Sequence, residues 1–142
     1  MKEKSIDYLL RNTWQAVARM YNEEASKYGA SMAVGFALLN IDKEGTPSTA
    51  LAPKLGMEPT SLTRTLKSME EKGLIVRKKN PKDGRGMIIH LTKLGLQKRQ
   101  LSKQTVLRFD EVIKQNITEE KLMVFKEVSQ TIQELIHAKE IY

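Results

Sequence analysis

The sequence has no cysteine and only two histidines, His90 and His137, far apart along the chain. Disulfides and thiol redox sensing are thereby excluded, and the usual soft and imidazole ligands of a structural zinc site are missing. No metal and no cofactor are expected. No run of the ~18 apolar residues that would span a bilayer is present, so no membrane segment is expected either. The opening residues, Met1-Lys2-Glu3-Lys4-Ser5-Ile6-Asp7-Tyr8, put charges where an export signal would need an apolar stretch, and a cytoplasmic location is expected. Also missing are a nucleophile beside a base, paired carboxylates at a strand end and a glycine-rich phosphate loop. Catalysis is not expected.

What is present is a chain of 142 residues, 40% apolar and 29% charged, with a net charge of +7. That length suits one lobe plus a long helical extension, and is short for two independent domains. The charge is concentrated. Between Arg64 and Lys103 stand twelve basic residues and three acidic ones, a net +9, so the rest of the chain carries −2. A basic run is often only a solvated helix face. A central +9 segment between near-neutral flanks points instead to a polyanion, nucleic acid first.

Apolar residues at Ile6, Leu9, Leu10, Trp14, Val17, Ala18 and Tyr21 keep the three-and-four spacing of an amphipathic helix, predicted over about 4–27. Gly29 can stop it, and Ser31 can cap a second, largely buried helix reaching about Asp42. Gly45-Thr46-Pro47 reads as a turn with Pro47 at the first helical position of a short third helix ended by Gly56; Pro53 within it predicts a kink or a stretch of 3₁₀ geometry. Pro59 opens a fourth helix with Leu62, Leu66 and Met69 on one face and Gly73 as its stop. Its polar face offers Thr60, Ser61, Thr63, Arg64, Lys67 and Ser68, donors suited to phosphates and base edges. Arg64 could instead pair with Glu71, and Thr60 and Ser61 could serve as caps.

Leu74-Ile75-Val76 and Met87–Leu91 read as strands of a β-hairpin whose loop, Arg77 to Gly86, is basic. His90 reads as a surface residue. Thr92 caps a fifth helix interrupted near Asn116 and Ile117, and Thr118 caps a sixth whose Leu122, Phe125, Ser129, Ile132 and Ile136 form a narrow apolar seam. The predicted class is mainly α with a small β-hairpin. In it a winged helix-turn-helix lobe (31–92) is flanked by dimerisation helices (1–28 and 93–142) within a single chain, 1–142. The major groove of duplex DNA admits one α-helix, and a hairpin can reach the adjacent minor groove. Geometry alone leaves open a winged-helix module that binds protein or RNA without operator specificity.

Leu62-Thr63-Arg64 followed by Leu66, then Lys72-Gly73-Leu74-Ile75, then Asp83-Gly84-Arg85 with Leu91-Thr92 and Gly95, resemble the MarR family of bacterial regulators over nearly the whole chain. The resemblance implies that Pro59, Thr60, Ser61, Thr63, Arg64 and Lys67 lie in or beside the major groove and that Arg85 enters the minor groove, with Asp83 orienting it. Arg77, Lys78, Lys79 and Lys82 are expected to meet the phosphates. Gly84 stands where the family often carries a second arginine.

A single recognition helix and wing bury too little surface to choose one genomic site, so a homodimer on a palindrome is expected, with half-sites about 10 bp apart. Ile6, Leu9, Leu10, Leu122, Phe125, Ile132 and Ile136 are its candidate interface. The resemblance further implies a small amphipathic effector, with Trp14, Tyr28, Met32 and Phe36 as candidate pocket residues, although each also reads as core. Repression is the default direction, by occupation of a promoter.

Overall fold

Ser5 opens the first helix: its side chain accepts the N–H of Tyr8 (3.1 Å), and α1 runs Ile6–Ser26. The structure, a computed structural model, describes residues 3–82, 84 and 86–142. Asp83 and Arg85, assigned above to the wing tip, lie outside the described residues. Gly29 adopts a left-handed conformation (φ 68°) that turns the chain. Ser31 then caps α2 (Met32–Asn40) by accepting the N–H of Val34 at 3.3 Å. The helix stops short of the expected Asp42 because Ile41 is already extended, which buries its side chain.

The first correction is a third strand. β1 (Thr46–Pro47) pairs antiparallel with a later strand, Thr46 opposite Ile89 and Pro47 opposite Ile88. Pro47 is therefore the residue before α3 (Ser48–Leu55), not its first helical residue. Thr46 is buried, and its hydroxyl accepts the N–H of Asp42 (2.8 Å), as a buried polar group requires. The second correction concerns the 3₁₀ alternative expected at Pro53. α3 is α-helical throughout, with no 3₁₀ stretch: one proline near the end removes a single backbone bond, and Gly56 (φ 61°) closes the helix soon after.

α4 (Pro59–Glu71) has Pro59 at its start and ends where Gly73 turns left-handed (φ 72°), with the N–H of Leu74 donating to the Met69 carbonyl at 2.9 Å. β2 (Ile75–Lys79) and β3 (Met87–Leu91) follow, paired from Ile75–Leu91 to Lys79–Met87. The sheet order is β1-β3-β2. Arg77, Lys78 and Lys79, expected in the loop, belong to the strand, because long basic side chains at a sheet edge keep their charged ends in water while the backbone stays paired. His90 is another correction. It is half-buried, and its ring lies 2.6 Å from where a Cβ on Gly45 (φ 105°) would stand, so the strand needs a glycine opposite it.

Thr92 joins three elements. Its hydroxyl donates to the Gly73 carbonyl (2.6 Å) and accepts the N–H of Gly95 (3.0 Å), capping α5 (Lys93–Asn116). A side chain at Gly95 would run into the Leu74 carbonyl oxygen, so only glycine lets the helix start this close to the corner.

The chain divides into two compact units, one up to Thr105 and one from Val106. The first holds the core: Val34, Ala37, Leu38 and Ile41 from the second helix and its end, Leu51 from α3, Leu62, Leu66 and Met69 from α4, and Leu74, Ile75 and Ile89 around the sheet. Arg99 of α5 donates to the Leu38 carbonyl at 3.1 Å, holding the start of that helix against the end of α2. The second unit contains the end of α5 and α6 (Glu119–His137), where Thr118 accepts the N–H of Lys121 at 3.3 Å. None of its residues is buried. Among the described residues no helix is long and apolar enough to cross a membrane.

Candidate nucleic-acid interface

α4 is anchored from beneath. Leu62, Leu66 and Met69 sink into the core, which fixes the rotation of the helix and turns Pro59, Thr60, Ser61, Thr63, Arg64 and Lys67 outward, all exposed. The residue before the helix, Glu58, makes no side-chain cap bond, and neither Thr60 nor Ser61 acts as the cap. The first-turn N–H groups are therefore not taken up by a capping side chain, and uncapped groups of this kind can receive phosphate oxygens. The Thr63 hydroxyl donates to the Pro59 carbonyl (2.9 Å), leaving its oxygen lone pairs free to accept.

The second basic element is the hairpin. Lys78, Lys79 and Lys82 are exposed. The N–H of Asn80 donates to the Gly86 carbonyl (3.0 Å), and the Asn80 side chain accepts the N–H of Lys82 (3.0 Å), so the tip is narrower than the ten-residue loop expected from sequence. Among the described residues, Arg64, Lys67, Lys78, Lys79 and Lys82 form no ion pair. Arg64 is thus not held by Glu71, and these charges are available to a polyanion.

Arg77 differs. Its Nε donates to Glu70 Oε2 (3.2 Å) and its Nη2 to Oε1 (3.0 Å), a two-pronged bond between α4 and β2. That bond holds the Glu70 carboxyl below its ordinary pKa and raises the guanidinium above its own. Sequence reasoning missed Glu70. The signal was a carboxylate at the last turn of a helix, where the macrodipole disfavours it, with an arginine just across a glycine turn.

Of the candidate self-association residues, Ile6, Leu9 and Leu10 are exposed on α1, as are Phe125 and Ile136 on α6; Leu122 and Ile132 are half-exposed. Of the candidate pocket residues, Met32 and Phe36 are half-buried one turn apart on α2, and the Phe36 ring meets Tyr21 edge-on at 5.8 Å. Trp14 and Tyr28 are about half-exposed and are not core residues. Trp14 stands about 18 Å along α1 from its end, so it is not beside Tyr28.

The sequence model of the MarR family matches residues 36–87. A putative transcriptional regulatory protein for the hcr operon of Thauera aromatica is 32% identical over 77 residues, a stretch covering 54% of this chain and 46% of that relative. The match therefore spans less than half of that relative's length. The fold agrees more widely. The S. aureus MepR in its DNA complex superposes with a TM-score of 0.85 at 18% identity, over 93% of this chain and 98% of that one. The PcaV regulator of Streptomyces coelicolor, solved with its natural ligand, superposes with a TM-score of 0.75 at 19% identity, over 91% and 92%. The match to the MarR-family model thus covers residues 36–87, from α2 to the first residue of β3, and the chain around it shares the winged-helix fold of these solved structures.

Proposed function

We propose that this chain is a sequence-specific, double-stranded-DNA-binding transcriptional regulator, a cytoplasmic repressor that occupies a palindromic operator as a homodimer. One observation carries the proposal. The face of α4 opposite Leu62, Leu66 and Met69 presents Arg64, Lys67 and a row of hydroxyls, exposed and without ion pairs among the described residues, next to a lysine-bearing hairpin. Arg64 and the hydroxyls read base edges in the major groove; Lys67, Lys78, Lys79 and Lys82 supply salt-dependent attraction to phosphates. Arg85 is assigned to the minor groove and Asp83 to orienting it, on the family resemblance. A small amphipathic ligand releases the dimer if it prefers a spacing of the two α4 helices unlike the DNA-bound one, as linkage requires. That a structural neighbour holds its natural ligand supports this part.

The test is selection of bound sequences from a random duplex pool by the full chain. Recovery of a palindrome with half-sites about one helical turn apart is expected. If no motif is recovered and binding fades evenly with salt, the fold serves protein or RNA contact instead.

A further inference from the structure

We infer that Arg77 is a positioning residue: its bond to Glu70 braces the base of the wing against the recognition helix, and Arg77 is not a phosphate contact. The inference rests on the DNA-binding function proposed above and reassigns a residue that charge alone would group with Lys78 and Lys79. Both carboxylate oxygens are engaged by the guanidinium, at 3.0 and 3.2 Å, so the pair is neutral and oriented. Glu70 would otherwise be an unfavourable negative charge twice over, at a helix C-terminus and beside the proposed phosphate surface. Arg77 cancels both penalties.

The place of the bond matters. Along the chain α4 and β2 are joined by the three-residue turn Lys72–Leu74, and that turn is pinned on one side by Thr92, which holds the Gly73 carbonyl through its hydroxyl and the Leu74 carbonyl through its N–H (3.0 Å). The Glu70–Arg77 bond adds a direct side-chain tie from α4 to β2 across that turn. The pinned turn and this tie together fix the angle between helix and hairpin, which must match the offset between a major groove and the next minor groove.

Glu70→Gln and Arg77→Gln separate the roles, because they change charge in opposite directions yet break the same bond. For each variant, and for the double variant, affinity is measured across salt on the selected operator and on a scrambled duplex. A brace predicts that both single variants lower the operator-to-scrambled ratio by the same factor, about two- to fivefold on the scale of a partly exposed ion pair, that the double variant lowers it no further, and that the salt slope of Arg77→Gln is unchanged. The charge-swapped pair Glu70→Arg with Arg77→Glu recovers the ratio. A salt slope reduced by about one in Arg77→Gln, with the ratio unmoved by Glu70→Gln, identifies a phosphate contact and overturns the proposal.

A second measurement is independent of DNA. In the free protein, amide exchange over Ile75–Lys79 is expected to quicken equally in both single variants, and unchanged exchange in either overturns the brace. A wild-type protein that prefers no duplex would sink the regulator function while leaving this measurement intact.

Discussion

The two units treat their apolar side chains in opposite ways. In the first, Leu38, Ile41, Leu51, Met69, Ile75 and Ile89 are almost wholly withdrawn from water, drawn from three helices and the sheet. In the second, Phe125 is 64% exposed, Ile136 61% and Met123 57%, and nothing is buried. Hydrophobic burial stabilises by roughly 25 cal/mol per Å², so the first unit carries its own stabilisation, whereas α6 in a lone protomer lacks it. A helical seam of that kind is held in place by what covers it. The contrast explains why one sequence carries both a self-sufficient lobe and helices whose apolar residues look wasted in one copy.

The widest separation of the two units should come from Phe125→Asp with Ile132→Asp. Under the proposed dimer, sedimentation is expected to show monomers at concentrations where the parent is dimeric, while amide protection around Leu38 and Ile89 is retained. An unchanged dimer would remove α6 as the self-association surface. Leu38→Ala acts on the other side of the comparison. It is expected to cost about 2–5 kcal/mol by emptying a filled core site, read as a lower denaturation midpoint for the lobe; a loss below about 1 kcal/mol would mean that the core collapses around the gap. The smallest effect belongs to Thr118→Ala, which removes the cap of α6. About 1 kcal/mol is expected, seen as increased amide exchange in the first turn of α6 with the lobe's transition unmoved. A shifted lobe transition would show that the cap also stabilises the lobe.

Much of the fold was legible because its punctuation is local. Ser31, Thr92 and Thr118 cap helices through bonds to residues three positions on, and Gly29, Gly56 and Gly73 turn left-handed where a helix must end. A side chain and its near neighbours suffice to predict such features. What escaped depends on distant partners. β1 is two residues long and exists because Ile88 and Ile89, some forty positions later, supply its ladder. The strand character of Arg77–Lys79 was hidden because their charges suggest a loop, although pairing to Met87–Ile89 decides the matter. His90 reads as surface until Gly45 is placed opposite it.

The candidate site was legible in the same uneven way. The outward face of α4 follows from the spacing of Leu62, Leu66 and Met69, and the structure exposes the residues that spacing selects. The bond between Glu70 and Arg77 spans a turn and a change of secondary structure, a relation no periodicity encodes.

The sheet order β1-β3-β2 has one more consequence. β3 is paired on both sides, and both outer strands are poor templates for further pairing: β1 ends in a proline after a single residue, and β2 carries exposed lysines at Lys78 and Lys79. Unpaired strand edges are where folded proteins recruit one another into aggregates, and short length, proline and lysine are the features that prevent it. Under the proposed function, copies gathered at high local concentration on a duplex are thereby kept from adding strands to one another.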